Sequence, residues 1–230
     1  MSNLLSVLRH ETKYLLSDIQ YHRLQNYFSN VLQSDTHNQA EGYLVRSLYF
    51  DTPDDRDYLD KLDGLLERRK LRLRMYSPED KTVKLELKQK SGAFQRKRSL
   101  VLTRMQAESL VQGDLGVLRA MEQPFAQECL YLMSLGVYRP KCIVEYQRRA
   151  FVAAANDIRI TFDTNVCATL SPQGFFEPRV FGIPVIPFGN TIMEVKYNHF
   201  LLSYIKDMVS QCDTSAAAIS KYCLARQIGL

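Results

Sequence analysis

The chain has 230 residues, 46% of them hydrophobic and 24% charged. That is a globular balance, with material for a sizeable core and no apolar run of the roughly 18–20 residues that span a bilayer as a helix. Thirty Lys and Arg against 25 Asp and Glu leave a net charge of +5, which favours a polyanionic partner, while the absence of GxxxxGK[ST] and GxGxxG removes the usual support for P-loop and Rossmann readings.

The predicted elements run as follows. Residues 6–16 read as a strand with Arg9, Glu11 and Lys13 on one face, and Ser17-Asp18 as the cap of a helix over 19–32. A strand over 42–51 closes at Thr52-Pro53, and a helix over 54–66 carries Tyr58, Leu59, Leu62 and Leu65 as its apolar positions. Strands over 70–76, 83–90 and 96–102 follow, joined by short gaps that read as hairpins. Helices are predicted over 103–113 and 124–135, then strands over 141–152, 158–163 and 191–197, the last two separated by a Gly- and Pro-containing loop over 171–190. Helices over 199–211 and 215–226 complete the chain. No repeat or linker divides it, so residues 1–230 read as one domain. The N-terminus lacks the long apolar stretch of a signal peptide, and five scattered cysteines (Cys129, Cys142, Cys167, Cys212, Cys223) never form C-x-x-C. Both observations favour a reducing, cytoplasmic setting over a disulfide framework or zinc site.

The distribution of charge is more informative than its sum. Residues 68–98 hold twelve of the thirty Lys and Arg and only three acids, Glu79, Asp80 and Glu86. Within that stretch Lys70-Leu71-Arg72-Leu73-Arg74 and Val83-Lys84-Leu85-Glu86-Leu87-Lys88 alternate strictly between charged and apolar. Successive strand side chains point to opposite faces, so adjacent antiparallel strands place Arg72, Arg74, Lys84 and Lys88 on one surface. Like charges opposed on a sheet repel, and such a surface is either a solvated face or one built to hold a dense anion. Later strands continue the pattern: Tyr146 and Arg148 share a parity, Arg159 and Asp163 mark another strand, and Glu194 and Lys196 lie two apart. An eight-stranded antiparallel barrel of α+β class, with helices packed outside, would turn these stripes inward to line a basic tunnel. The four histidines, His10, His22, His37 and His199, fall off the charged stripes and read as structural or surface groups.

Taken in order, Arg9-x-Glu11-x-Lys13-Tyr14, Ser47-Leu48-Tyr49-Phe50-Asp51-Thr52, Arg72-Leu73-Arg74, Glu86-x-Lys88, Tyr146-x-Arg148, Arg159-x-x-x-Asp163, Glu194-x-Lys196 and Ser220-Lys221 resemble the VTC (vacuolar transporter chaperone) domain. That family is the polyphosphate polymerase branch of the triphosphate tunnel metalloenzymes, also called CYTH. The resemblance implies an eight-stranded tunnel, ATP and inorganic polyphosphate as substrates, and Mn2+ or Mg2+ as cofactor. It assigns Arg72, Arg74, Lys88, Arg148, Arg159 and Lys221 to catalysis, and Lys13, Lys84, Arg96, Arg98, Ser220, Lys196 and Tyr146 to phosphate binding. Glu194, with Glu11 and Glu86, would hold the metal. Which of Arg96, Lys97 and Arg98 faces the tunnel stays open, although Arg96 and Arg98 share the parity assigned inward.

The implied reaction moves the ATP γ-phosphoryl group onto a growing chain, which asks for positioning and charge neutralisation rather than a nucleophilic Ser or Cys. Hydrolytic relatives and small adenylate cyclases carry a tandem ExExK in the first strand. Arg9 stands at the first of those positions here, so fewer carboxylates remain to orient a water, and a phosphate-chain end is favoured as nucleophile over it. The alternatives are a triphosphatase on the same fold and a non-catalytic polyanion binder. Nucleic acid is not expected, because the basic strands lack the interleaved aromatics that stack bases. No membrane segment is read in the sequence, and any membrane-protein partner is left unnamed.

Overall fold

A computed structural model describes residues 9–92, 94–210 and 216–228. Cys212, the start of the first predicted strand and the side chain of Arg9 lie outside the described residues. The strands among them are β1 (Arg9–Leu16), β2 (Gln33–Ser34), β3 (Tyr43–Asp51), β4 (Glu67–Met75), β5 (Thr82–Ser91), β6 (Phe94–Thr103), β7 (Arg139–Ala153), β8 (Ile158–Thr169), β9 (Ile183–Pro184) and β10 (Thr191–Asn198). The helices are α1 (Asp18–Val31), α2 (Arg56–Leu62), α3 (Arg104–Val111), α4 (Gly116–Arg119), α5 (Pro124–Leu135), α6 (Ser203–Ser210) and α7 (Lys221–Arg226).

The strands hydrogen-bond in the order β1-β10-β8-β7-β3-β4-β5-β6, with β2 on β7 and β9 on β8. The class is α+β with a large antiparallel sheet, but the expected closed barrel is corrected. β1 and β6 end the order and do not pair among the described residues, so the sheet is open. Alternation fixes the two faces of each strand but carries no information on whether the outermost strands meet, which depends on tilt and stagger.

Tertiary contacts gather the chain into two units. The first comprises the segment ending at Leu44, Tyr146–Val166 and Ile186–Ile219. Its core is built from Leu16, Ile160, Phe162, Met193 and Val195 on one sheet face, covered by Leu24 and Phe28 of α1 and Ile205 and Met208 of α6. Ser17 caps α1 and forms a reciprocal box with Gln20, fixing where the helix starts, and Leu24 and Phe28 then recur at i and i+4 on its buried side.

The second unit comprises Val45–Glu145, Cys167–Val185 and the chain from Ser220 onward. Leu48, Phe50, Leu71, Leu73, Leu85, Leu87 and Leu102 form its sheet face, with Ala107 and Leu110 of α3 and Cys129 and Met133 of α5 packed over them. α3 starts at a Thr103–Gln106 capping box and α5 at Pro124, where a missing N–H costs nothing.

Several predicted elements are shorter than expected. The helix predicted over 54–66 is limited to Arg56–Leu62, and Leu59, Leu62 and Leu65 are exposed, so they form no buried stripe. Among the described residues the last two helices comprise Ser203–Ser210 and Lys221–Arg226, and positions 211 and 215 of the predicted spans lie outside the described residues. The loop over 171–190 contains a 3-10 turn, Pro172–Phe176, and the short β9, while β8 extends to Thr169. Among the described residues no helix is long and apolar enough to cross a membrane.

Candidate functional site

In the second unit, the registers of β4, β5 and β6 lay out three rows: Lys70–Lys88–Lys97, Arg72–Glu86–Ser99 and Arg74–Lys84–Val101. Six cations and one carboxylate therefore share one face of these three strands. Glu86 is the hub, only 2% exposed. Arg72 donates to its Oε2 through Nε at 2.8 Å and approaches it through a second nitrogen at 2.7 Å; Arg74 lies 3.8 Å from the same oxygen, and Lys97 is 2.5 Å from Oε1. Burial alone would raise the Glu86 pKa, but the charges of Arg72 and Arg74 and the hydrogen bond from Lys97 outweigh it and hold the carboxyl at about 2. β3 supports the arginines from the side, with Arg72 donating to the Tyr49 hydroxyl at 3.1 Å and Arg74 to the Ser47 hydroxyl at 3.2 Å.

Three sequence assignments in this unit change. Arg98 occupies the opposite sheet face, where it pairs with Glu128 of α5, donates to Gln89 at 2.8 Å and stacks over the Phe125 ring. Arg96 shares that parity, beside Gln89 in the register. Lys97 is the residue of the trio that joins the charged face. The reason is the tight turn after β5, which pairs Ser91 with Phe94 and so sets the parity of the whole of β6. Glu86, expected as a metal ligand, is engaged by three basic groups in this structure.

Lys88 and Lys84 lie on the charged face as expected, with the Lys84 ammonium over the Tyr76 ring at 5.4 Å. Ser220 caps α7 by accepting the Cys223 N–H at 3.3 Å and also accepts a bond from Lys70 at 2.7 Å, so its hydroxyl positions a lysine that the sequence reading missed. Lys221 opens α7.

Two further positions escaped sequence reading. Asp51 is fully buried and accepts the backbone N–H groups of Thr52, Asp57 and Tyr58 at 2.8 to 2.9 Å and the Tyr222 hydroxyl at 2.5 Å. It thereby caps α2, whose own N-cap Asp55 makes no side-chain cap bond, and ties α7 to β3. Arg46, 1% exposed, spans Glu145 at 2.5 Å and the carbonyls of Phe175 and Glu177 at 3.0 and 2.5 Å. Its parity with Leu48 and Phe50 was the available signal, since an arginine on an apolar face needs a buried partner.

In the first unit, β1, β10 and β8 align Glu11–Lys196–Arg159 and Lys13–Glu194–Thr161. Lys13 is 3.3 Å from Glu11, Lys196 is 2.5 Å from Glu194, and Lys13 also donates to the Ile219 carbonyl at 3.2 Å. Arg148 makes a two-pronged pair with Asp163 at 2.6 and 2.7 Å and lies over the Tyr146 ring. Burial works against the Arg148 charge, but Asp163 and its hydrogen bonds dominate and hold its pKa well above the ordinary arginine range. Gly42 permits this placement: at φ +86°, a Cβ there would meet the Arg148 carbonyl oxygen at 2.4 Å. Arg159 pairs with Asp35 and donates to the Tyr43 hydroxyl at 3.2 Å.

No group of three His, Cys, Asp or Glu side chains among the described residues gathers to hold a metal ion. Glu11 and Glu194 are diagonal neighbours on adjacent strands and offer carboxylate oxygens. Carboxylate oxygens are the donor type a hard divalent cation takes, and in this structure Glu11 is paired with Lys13 and Glu194 with Lys196.

The VTC domain family model matches residues 8–229. The chain belongs to the VTC domain family. No curated protein sequence matches this VTC domain. Among solved structures it is similar to a candidate adenylate cyclase from Bacillus halodurans, with a TM-score of 0.55, 12% identity and 93% of each chain covered. A candidate adenylate cyclase from Vibrio parahaemolyticus is similar at a TM-score of 0.53 and 13% identity, over 94% of this chain and 97% of the other. At such identities the likeness is one of fold, and together with the family match it supports the triphosphate tunnel fold for this VTC domain.

Proposed function

We propose that the protein is a polyphosphate polymerase that transfers the γ-phosphoryl group of ATP to the end of an inorganic polyphosphate chain. The observation that carries this reading is the β4–β5–β6 face, where Lys70, Arg72, Arg74, Lys84, Lys88 and Lys97 stand against a single carboxylate. Like charges so arranged repel, and a polyanion lying on them turns that repulsion into binding. Arginine forks bind two phosphate oxygens at once, and lysines add compact point charges that tolerate a sliding chain.

In the proposed reaction, a terminal oxygen of the chain attacks the γ-phosphorus, the bond from γ-phosphorus to the β–γ bridging oxygen breaks, and ADP departs. The chain is then one phosphate longer. The transition state is loose, so the residues act by alignment and by neutralising oxygen charge. Arg72 and Arg74, fixed by Glu86, Tyr49 and Ser47, hold phosphate oxygens in line. Arg148, oriented by Asp163, and Arg159, Lys13 and Lys196 of the other unit do the same for phosphate groups reaching them, with Tyr146 and Lys221 in supporting roles. A divalent cation, Mn2+ or Mg2+, when held by Glu194 and Glu11, supplies Lewis-acid neutralisation of phosphate oxygens. The scarcity of carboxylates on the basic face favours an anionic chain end over an activated water as nucleophile.

Incubation of the purified chain with ATP and Mn2+, with products resolved on a gel stained for polyphosphate, tests this. A ladder from wild type, absent with Arg72→Ala/Arg74→Ala, is expected. Metal-dependent phosphate release from tripolyphosphate without any ladder would replace the polymerase by a hydrolase.

A further inference from the structure

A cavity of about 410 Å³ lies in the second unit at the end of the sheet where β5 turns into β6. Its size falls within the roughly 300–1,000 Å³ of small-ligand sites. Arg56 of α2, Arg68 and Arg69 of β4, Lys90 of β5 and Arg96 of β6 line it, with Asp60 and Glu67 as its acids. Five basic and two acidic groups leave an excess of three positive charges. Of the two acids, Glu67 accepts the hydroxyl of Ser91, also a lining residue, at 3.2 Å. Arg68 and Arg69 are held in place by the Leu65 carbonyl at 3.0 Å and by Asp57 at 3.2 Å. Arg56, Lys90 and Arg96 make no side-chain hydrogen bond or ion pair among the described residues.

Arg69, Gln89 and Arg96 are register partners across three strands, which separates the two arginine backbones by about 10 Å. Lys90 lies one residue further along its strand and Arg56 comes from the helix. Basic side chains drawn from three strands and a helix can engage several phosphate groups of one ligand at once. Arg69 and Arg96 belong to the sheet face opposite Arg72 and Arg74, while Arg68 and Lys90 are register partners on the charged-face parity, one row beyond Lys70 and Lys88, so the cavity wraps the end of the sheet and draws on both faces.

We propose that this cavity is a second anion site, which takes an oligophosphate independently of the charged face. The ligand class leans on the polymerase reading; the site itself rests on the cavity and its basic lining. Inorganic chains and nucleotides share the chemistry, and Phe94 at the cavity edge, 74% exposed, offers a ring to a base.

Calorimetric titration of the full chain with inorganic tripolyphosphate tests the proposal, using the exposed pair Arg56→Gln/Arg96→Gln and, separately, Arg72→Ala/Arg74→Ala. Wild type should bind two equivalents. The cavity variant should lose one of them, by roughly tenfold or more in affinity because two charge-assisted contacts are removed, with an unchanged thermal midpoint. A stoichiometry of one in wild type, unaltered by Arg56→Gln/Arg96→Gln, overturns the second site. A stoichiometry of one that this variant abolishes supports the cavity and overturns the charged face instead. In the Arg72→Ala/Arg74→Ala background, ATP binding tighter than tripolyphosphate assigns a nucleotide to the cavity, and weaker binding assigns the inorganic chain; failure of both to bind overturns the proposal.

Discussion

Lys97 reaches Glu86 across the β5–β6 ladder at 2.5 Å, beneath a carboxylate already bound by Arg72. One acid on β5 thus holds together cations from the two strands that flank it, and its removal has consequences for both stability and charge.

Replacing Glu86 by Gln leaves Arg72, Arg74 and Lys97 with mutual repulsion and no buried counter-charge. Loss of one member of such a pair costs about 3–5 kcal/mol. The pH dependence has a definite sign. Because the folded Glu86 carboxyl is held at about 2, below its ordinary value of 4.5, its contribution is complete above pH 4.5 and fades as pH falls toward 2. Urea unfolding at a series of acidic pH values should show wild type losing about 3 kcal/mol across that window through this group, and Glu86→Gln lacking the loss.

Asp57 behaves in the opposite sense. It is fully buried, accepts the Tyr138 hydroxyl at 2.9 Å and pairs with Arg69. Burial, reinforced by the nearby Asp51 charge, pushes its pKa up from 3.8 to about 7. A raised folded pKa contributes stability that is complete below the unfolded value and disappears as pH rises through about 7. Asp57→Asn should therefore flatten the stability profile between pH 4 and 7, and the difference from wild type, up to about 4 kcal/mol, is readable by denaturant titration at both ends.

Arg46 tests a purely architectural role. Its guanidinium spans Glu145 and the backbone of the 175–178 segment, a fork that a lysine ammonium cannot reproduce. Arg46→Lys should lower stability by about 3 kcal/mol, seen as an earlier urea midpoint with an unchanged slope.

Asp163 orients Arg148 through two hydrogen bonds and is itself fully buried. Asp163→Asn keeps the shape and removes the charge that fixes the guanidinium. Polymer synthesis should fall by about tenfold or more, with the loss in turnover exceeding the loss in ATP affinity, because positioning matters most in the transition state. Equal losses in both would reduce the pair to a binding element.

Much of this was legible in the sequence, for a physical reason: the period of two in 70–76 and 83–90 is forced by strands with one charged and one apolar face. Lys97 was not legible, because a single-residue change in the turn after Ser91 exchanges the faces of β6, and only the register decides it. Sheet closure was equally hidden. The role of Asp51 depends on backbone N–H groups six and seven residues away, which side-chain patterns do not reveal, whereas Arg46 could have been found from its place among apolar neighbours. In residues 54–66, helical spacing of leucines suggested burial, but tertiary packing leaves Leu59 and Leu62 exposed.

The most direct measurement follows the γ-phosphoryl group of labelled ATP through incubation of the full chain with Mn2+. A polyphosphate polymerase places the label in a lengthening phosphate chain and releases ADP in step with it, and Arg72→Ala/Arg74→Ala abolishes both. Label recovered only as orthophosphate, or ATP consumed to AMP and pyrophosphate, contradicts transfer to a chain end.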